Sequence, residues 1–319
     1  MRIAAIDVGT NTAQLLVAEC ADGRVVRRVG TDERFVRLGE GVDASGRIGR
    51  AALERLKAAL LAQRRLAEGW GAEHVVVGAT SASRDAANWQ EVVDFVRRET
   101  GLAYEILSGE EEATWTFAAA CAADPDLDGA CVVVDIGGGS TEIIVGEGGA
   151  VGPEAIRYRR SLNVGSVRFT ERFFDGQPPS REAVRRAAEA IDRALAEADV
   201  PVPAGATCIG TSGTTEALAL VNAGPSSAWE ALDEADRTLP ADAVRGWCER
   251  LLACDFDGVM ALHPAAMRGR ADVFPMGVLI LDRFLRVASL GACRASTYQL
   301  RHGLVLRWLH RHTGGTKNG

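Results

Sequence analysis

The stretch Val132–Val145 reads VVVDIGGGSTEIIV. An apolar run ends at Asp135, three glycines follow, and Ser-Thr-Glu leads into a second apolar run. Two short apolar runs joined by a glycine-rich turn are typical of a β-hairpin. Because glycine weakens a strand, three glycines at its end indicate that something must approach the backbone closely there.

The N-terminal segment repeats this pattern. Ile3–Glu19 reads IAAIDVGTNTAQLLVAE, in which Asp7 aligns with Asp135. An internal repeat of this kind predicts two domains of similar topology, and we expect them to face each other across a central cleft. The polar segment 122–130, AADPDLDGA, is the predicted connection between them.

The composition is that of an ordinary globular protein. The 319 residues fit two domains at about 150 residues each. The net charge of -7 argues against DNA as a partner. The seven scattered cysteines form no Cys-x-x-Cys pair, and the N-terminus has no signal-like segment, so we expect reduced thiols and a cytoplasmic location. No apolar run approaches the roughly 20 residues of a membrane helix, so no membrane partner is expected.

Strand-like and helix-like segments alternate along the chain, which predicts the α/β class. Beyond the hairpins, the predicted strands are 74–79, 103–107 and 206–210. The predicted helices are 48–66, 86–99, 110–122, 181–197, 241–253, 271–287 and 300–309.

Both glycine turns have the chemistry of a phosphate site. Backbone N–H groups can converge on an anion where side chains are missing, and hydroxyls next to the turn add donors. Asp135 and Glu142 flank the second turn and can hold a hard cation through oxygen. The alternative is an ordinary glycine-rich hairpin, which the duplicated, acid-flanked pattern makes less favoured.

A third loop has a weaker signal of the same kind. In Ile209–Ala217, IGTSGTTEA, a strand ends and a helix begins. Helix N-termini bind anions, but such loops also serve as plain helix caps.

Several motifs together resemble the exopolyphosphatase/guanosine pentaphosphatase (Ppx/GppA) family. Asp135–Glu142 (DIGGGSTE) and Ala5–Thr12 (AIDVGTNT) match it closely. Further matches follow in family order: GATSASRDAAN at 78–88, SGEEEA at 108–113, NVGSVRFTERFF at 163–174, GTSGTTEALA at 210–219 and RADVFPMG at 270–277. The resemblance spans the whole chain and fits the short two-domain form, without the C-terminal HD-type domain of longer members.

This resemblance implies two ribonuclease-H-like domains of the actin and sugar-kinase superfamily, with a central cleft. We expect the first domain to comprise residues 1–121 joined by the C-terminal helix 299–319, and the second to comprise 122–298. The resemblance also implies hydrolysis of a terminal phosphoanhydride bond, with Mg²⁺ as the cofactor.

The resemblance also implies roles for single residues. Glu112 corresponds to the catalytic base, and Asp135 and Glu142 to catalytic acids that hold the metal and water. Arg84 corresponds to a phosphate-contacting arginine. The other expected phosphate contacts are Asp7, Gly9, Thr10, Asn11, Thr12, Gly137, Gly138, Gly139, Ser140, Thr141, Gly213 and Thr214.

Four functions remain open at this point. We favour an exopolyphosphatase that acts on inorganic polyphosphate. The alternatives are hydrolysis of guanosine pentaphosphate in the same site, an actin-fold sugar or acid kinase, and a non-catalytic phosphate sensor. A homodimer is a further open alternative. An arginine cluster can bind distal phosphates or form a solvated surface; its members are Arg157, Arg159, Arg160, Arg168 and Arg172.

The spacing around Ser108 separates the roles of neighbouring glutamates. Ser108 and Glu111 are spaced as a capping box, in which the glutamate turns back toward the serine. Successive helical residues diverge by about 100°, so we expect Glu112 to point elsewhere and to be available for chemistry.

Overall fold

The computed structural model describes residues 1–124, 126–149 and 153–313. The chain divides into two compact units: Met1–Ala119 with the segment that begins at Tyr298, and Ala120–Thr297. Pro125 of the predicted connection and residues 314–319 of the predicted C-terminal segment lie outside the described residues. Within the described ranges, no helix is long and apolar enough to cross a membrane.

The first unit is built on a five-stranded sheet. Its strands are β1 (Arg2–Val8), β2 (Thr12–Ala21), β3 (Arg24–Phe35), β4 (His74–Ala79) and β5 (Glu105–Ile106). Their order in the sheet is β3-β2-β1-β4-β5. The first three strands form an antiparallel meander, and β4 and β5 run parallel to β1.

The second unit contains a six-stranded sheet. Its strands are β6 (Ala130–Ile136), β7 (Thr141–Glu147), β8 (Ile156–Leu162), β9 (Thr207–Gly210), β10 (Thr238–Pro240) and β11 (Ala292–Ala295). Their order is β10-β11-β9-β6-β7-β8. Again three strands form an antiparallel meander and two further strands run parallel to the first of them, while β10 is added at the edge.

Helices connect and cover the strands. They are α1 (Val42–Ser45), α2 (Arg50–Gly69), α3 (Ser81–Asp85), α4 (Trp89–Thr100), α5 (Gly109–Ala123), α6 (Ser166–Phe173), α7 (Arg181–Ala198), α8 (Gly213–Ala223), α9 (Glu234–Arg237), α10 (Ala241–Leu252), α11 (Phe256–Leu262), α12 (Pro264–Met267), α13 (Phe274–Val287) and α14 (Leu300–Thr313). Short 3-10 turns lie at Pro153–Ala155 and Trp229–Ala231.

The two sheets share one topology. Strands β6, β7, β8, β9 and β11 repeat the order and directions of β1, β2, β3, β4 and β5. The repeat predicted from the two Asp-x-Gly hairpins is therefore a repeat of the whole sheet. The predicted fold class, α/β with two ribonuclease-H-like units, is confirmed.

Burial on both faces explains the continuous apolar run of β1. Ala4 and Ile6 pack in the core beneath α2 and α4, whereas Ile3 and Ala5 pack in a second cluster against α14. A strand covered on both faces needs apolar residues at every position, and so lacks the alternation of a half-exposed strand.

Both hairpin turns lie at the carboxyl ends of parallel strands. In the first unit the amide of Thr80, just beyond β4, donates to the carbonyl of Val8 (3.1 Å). In the second unit the amide of Thr211, just beyond β9, donates to the carbonyl of Val134 (3.0 Å). Ligands of open α/β sheets bind at this edge, so the fold brings each turn to the expected end of its sheet.

Candidate active site

The glycine turn of the second unit is supported from behind by helix α6. The amide of Gly137 donates to the carbonyl of Ser140 (2.9 Å) and closes the turn. The amides of Ser166 and Val167, at the start of α6, donate to the carbonyls of Gly137 (2.9 Å) and Gly138 (2.8 Å). These hydrogen bonds satisfy the N–H groups at the start of α6 and hold the glycine turn in a fixed position.

A side chain of α6 completes this support. Nε of Arg168 donates to the carbonyl of Gly139 at 2.7 Å. In the described parts of the chain, no group accepts a hydrogen bond from the amides of Gly138 or Gly139. With the carbonyls held and these amides available, the turn can bind an anion through its backbone.

Gly165 shows how closely this support packs against the turn. A Cβ atom at Gly165 would lie 2.4 Å from the carbonyl carbon of Gly139 and 2.5 Å from the carbonyl group of Gly138. The neighbours are backbone atoms, which cannot rotate away, so only glycine fits. The Asn-Val-Gly-Ser motif at 163–166 is therefore part of the turn's support.

Asp135 and Glu142 lie directly opposite each other on β6 and β7. Glu142 is 1% exposed, and one of its oxygens accepts a hydrogen bond from Oγ of Ser161 (2.7 Å). Like charges directly opposite on one face of a sheet are destabilising. A divalent cation at this pair would offset that repulsion.

The two carboxylates suit a magnesium ion that is bound together with phosphate. Across residues 1–124, 126–149 and 153–313, no group of three or more His, Cys, Asp or Glu side chains could hold a metal. Mg²⁺ usually takes only one or two protein carboxylates and completes its shell with water and phosphate oxygens. The pair Asp135 and Glu142 meets this requirement, but an ion caged by protein groups alone does not fit the described residues.

The hydroxyl next to the glycine turn has a protein partner. Oγ1 of Thr141 donates to the carbonyl of Val164 at 2.6 Å, and the residue is 1% exposed. This bond ties β7 to the segment before α6. The role of Thr141 as a phosphate contact stays a prediction, as do those of the neighbouring turn residues.

The turn of the first unit has the same backbone design. The amide of Gly9 donates to the carbonyl of Thr12 (2.8 Å), as in the second turn. The carbonyls of Thr10 and Asn11 accept amides from the segment 36–39. Here too the turn's carbonyls are held by a neighbouring loop, so the repeat extends to hydrogen bonds that the sequence does not reveal.

The first turn also has hydroxyl groups beside it, from Thr10 of the turn itself and from Ser81 of α3. Oγ1 of Thr10 lies 3.0 Å from Oγ of Ser81, and both residues are buried. Ser81 begins α3, directly after β4. Our sequence analysis missed Ser81; its signal is the Ala-Thr-Ser run at the carboxyl end of a predicted strand.

The two hairpins differ at one position that matters for charge. Opposite Asp7 lies Gln14, at the place that Glu142 takes in the second unit. The amide nitrogen of Gln14 donates to Glu33 (3.0 Å), and its oxygen accepts from Arg301 of α14 (2.6 Å). The first hairpin therefore has no second carboxylate opposite its aspartate. This difference can be seen in the sequence alignment of the repeats.

Glu112 and Arg84 form an ion pair. Nη1 of Arg84 donates to Oε2 of Glu112 (2.9 Å) and to the carbonyl of Leu107 (3.0 Å). Glu112 is 7% exposed, so the pair is largely shielded from water. The role of Arg84 as a phosphate contact stays a prediction.

The predicted capping box at the start of α5 is confirmed. The amide of Ser108 donates to Oε2 of Glu111 (3.1 Å), and the amide of Glu111 donates to Oγ of Ser108 (3.2 Å). Glu111 turns back toward the cap, whereas Glu112 points to Arg84. The two adjacent glutamates have separate surroundings, as their helical positions predicted.

The loop before α8 is a capped helix start. Oγ of Ser212 accepts the amide of Thr215 (3.2 Å), and the carbonyl of Gly213 accepts from Nη1 of Arg270 (2.9 Å). The hydroxyl of Thr211 is buried and has no hydrogen-bond partner among the described residues. The assignment of Gly213 and Thr214 to phosphate stays a prediction.

The arginine cluster serves several purposes. Arg168 supports the glycine turn, as described above. Arg157 pairs with Glu147 (2.9 Å) and is well exposed, and Arg172 lies over the ring of Phe169 (5.6 Å to its centre).

All seven cysteines are free thiols, and six of them are buried.

Fold and site together define a class of protein. Two ribonuclease-H-like units, each with an Asp-x-Gly turn that can bind an anion through its backbone, define an α/β protein suited to a phosphate-containing ligand. The model of the Ppx/GppA phosphatase family matches residues 16–312. The chain belongs to this family, which confirms the expected class of enzyme, a phosphoanhydride hydrolase.

Named relatives agree with this assignment. The chain is 32% identical to exopolyphosphatase 1 of Mycobacterium tuberculosis, over 99% of this chain and 90% of that protein. It is 30% identical to the guanosine-5'-triphosphate,3'-diphosphate pyrophosphatase of Aeromonas salmonicida, over 95% of this chain but 58% of that protein. The solved structure of an exopolyphosphatase-like protein is similar at a TM-score of 0.87 and 30% identity, covering 97% of this chain and 98% of that one.

Proposed function

We propose that the protein is an exopolyphosphatase, which hydrolyses the terminal phosphoanhydride bond of inorganic polyphosphate and releases orthophosphate. The observation that carries this proposal is the supported glycine turn, in which α6 holds the carbonyls and the amides of Gly138 and Gly139 can bind phosphate oxygens. The near full-length match to a relative named exopolyphosphatase supports polyphosphate as the substrate.

The turns position the substrate by their backbone. In phosphoryl transfer, positioning and electrostatic stabilisation do most of the catalytic work. The amides of the second turn bind oxygens of the phosphate chain, and the hydroxyls of Thr10 and Ser140 add donors. Arg84 contributes a positive charge where the phosphoryl oxygens become more negative.

Glu112 acts as the general base. Its carboxylate accepts a proton from the attacking water while the water oxygen bonds to the terminal phosphorus. The bond from that phosphorus to the bridging oxygen breaks, which leaves orthophosphate and a polyphosphate shorter by one unit. The contact with Arg84 and the burial of Glu112 fix the direction of the carboxylate.

Asp135 and Glu142 are the residues that would hold Mg²⁺. A bound ion would neutralise part of the charge on the phosphoryl oxygens. The two carboxylates lie on one face of the β6 and β7 pair, and Ser161 orients Glu142. Two carboxylates side by side are the number that Mg²⁺ usually takes from a protein, which supports a role in metal binding.

Guanosine pentaphosphate is the second candidate substrate. Its 5'-triphosphate ends in the same phosphoanhydride bond, and the Aeromonas relative has a name of this type. A sugar or acid kinase is less favoured because it does not need the Ser-Gly-x-Glu-Glu-Ala element at 108–113. A sensor without catalysis does not need the base Glu112.

The test is phosphate release from polyphosphate and from guanosine pentaphosphate, measured side by side with Mg²⁺ and with EDTA. We expect faster release from polyphosphate, loss of activity in EDTA, and a higher Mg²⁺ requirement in Asp135→Asn. Release from guanosine pentaphosphate alone would favour the second candidate. Transfer of phosphate from ATP to a sugar or acid, without hydrolysis, would overturn both.

The proposed partners are these polyanions, not DNA or a membrane. Free thiols throughout the chain support a cytoplasmic location. A homodimer is proposed as an alternative to a monomer, and light scattering of the purified chain distinguishes the two.

A further inference from the structure

Arg307 of helix α14 is a buried arginine with two acidic partners. It is 4% exposed. Its guanidinium donates to both oxygens of Glu105 (2.7 and 2.5 Å) and to Oε1 of Glu111 (3.0 Å). Fork-like contacts of this kind fix the geometry of both partners, because arginine is planar and stays charged.

Glu111 connects Arg307 to the start of α5. One of its oxygens accepts from Arg307, and the other accepts the amide of Ser108 in the capping box. The first turn of α5 is therefore tied at one residue to its own cap and to a helix almost 200 residues later in the chain. Neither contact involves Glu112.

A second contact fixes the same two helices one turn further along. A Cβ at Gly303 of α14 would lie 2.2 Å from the carbonyl oxygen of Trp115 in α5, so the two backbones meet there. Residues four apart share one face of a helix. Gly303 with Trp115, and Arg307 with Glu111, are thus two successive contacts along the same pair of faces, and they fix the rotation of α5 about its axis.

We propose that Arg307 is a positioning residue for the catalytic base Glu112. This inference rests on the proposed function, in which Glu112 accepts the proton of water. Rotation of the first turn of α5 redirects Glu112, because each residue has its own angle around the helix. Arg307 prevents that rotation through Glu111, while Arg84 holds the carboxylate itself.

The test compares Arg307→Met with Glu105→Gln in polyphosphate hydrolysis. Arg307→Met removes the bond to Glu111, and we expect kcat to fall roughly ten- to hundredfold, the scale of misplacing a reacting group by about 1 Å. KM should change little, since the phosphate-binding turns are untouched. Glu105→Gln weakens the other partner of Arg307 without touching α5, and it should retain near-normal kcat.

A double-mutant cycle separates positioning from general damage. In Glu112→Gln there is no base to position, so adding Arg307→Met should lower kcat little further. If Glu112→Gln keeps normal turnover, the proposed base is wrong. If Glu112→Gln is impaired but a folded Arg307→Met has normal kcat, only the positioning role is wrong.

Arg307→Lys keeps the test valid if Arg307→Met does not fold. Lysine keeps the positive charge but cannot fork to Glu105 and Glu111 together. We expect a folded variant with a melting temperature near that of the wild type and a severalfold lower kcat at similar KM. Wild-type kcat in this variant would overturn the positioning role.

Discussion

At the residue scale, three adjacent glutamates of α5 have three environments. Glu110 is exposed, Glu111 belongs to the capping box, and Glu112 is buried beside Arg84. The cap could be predicted because it depends on a spacing of three residues. The ion pair could not, because Arg84 lies 28 residues earlier and meets Glu112 only through the packing of α3 and α5.

The first prediction separates Glu112 from Glu111. Glu112→Gln should fold normally and lose roughly 10²–10⁴-fold in turnover, the usual scale for a general base. Glu111→Gln keeps one acceptor oxygen for the cap but loses the second acceptor that Arg307 uses, so its kcat should fall no further than in Arg307→Met. Glu111→Ala should in addition lose about 1 kcal/mol or less of stability at the cap. Steady-state kinetics and thermal melts check this. Normal turnover in Glu112→Gln with collapse in Glu111→Gln would place the base one residue earlier.

The second prediction concerns Arg84. Arg84→Ala should raise KM for polyphosphate roughly ten- to hundredfold, the equivalent of one charge-assisted hydrogen bond. It should also lower kcat, because Glu112 loses the partner that orients it. The melting temperature should fall as well, because Glu112 is left buried without this ion-pair partner, but the variant should still unfold cooperatively. A variant that no longer unfolds cooperatively, yet binds polyphosphate normally, would make Arg84 a purely structural residue.

At the scale of elements, the apolar runs and Asp-x-Gly turns predicted β1, β2, β6 and β7, and β4 was predicted at its observed bounds. Strand β3 was missed. Its sequence, RVVRRVGTDERF, has many charges and no clean alternation, because it is a largely exposed edge strand. Pairing with β2, a tertiary effect, makes it a strand.

The third prediction tests the support of the glycine turn. Gly165→Ala places a methyl group within 2.5 Å of the backbone of Gly138 and Gly139, so the turn must move. We expect KM for polyphosphate to rise on the order of tenfold or more, since catalytic geometry tolerates shifts of only about 1 Å. The matched control is Gly246→Ala in α10, where a Cβ meets nothing within 4 Å. Equal KM values in the two variants would contradict the role of Gly165.

At the scale of the whole molecule, one fold occurs twice with different chemistry. Asp7 faces Gln14 in the first unit, whereas Asp135 faces Glu142 in the second. The second hairpin can offer two carboxylates to a cation and the first only one. The sequence shows this substitution, but only the fold shows that Arg301, 287 residues away, holds Gln14.

In each unit one buried group makes the stability depend on pH, and the two dependences have opposite signs. Burial, and then the charges of Arg301 and Arg28, lower the pKa of His302 to about 3. Burial raises the pKa of Asp282. His302 lies in the first unit and Asp282 in the second. Each group therefore makes the stability of its own unit depend on pH.

The sign of each pH dependence follows from whether the folded or the unfolded state binds the proton more tightly. His302 is neutral when folded but becomes charged below its ordinary pKa of 6.5 when unfolded, so the first unit loses stability as the pH falls, by about 2 kcal/mol at pH 5. Asp282 favours the protonated form when folded, so its contribution is present at low pH and is lost as the pH rises from 3.8 toward its raised pKa. Acid should therefore weaken the first unit relative to the second.

Calorimetry between pH 7.5 and pH 5 checks this fourth prediction. The unfolding transition of the first unit should shift to lower temperature on acidification, so that two transitions separate. In His302→Asn, whose side-chain oxygen can accept the amide of Gln299 as the imidazole does, this shift should be much smaller. Asp282→Asn should stabilise the second unit at neutral pH, and its advantage should shrink as the pH falls. If His302→Asn follows the same pH dependence as the wild type, the acid sensitivity comes from other groups.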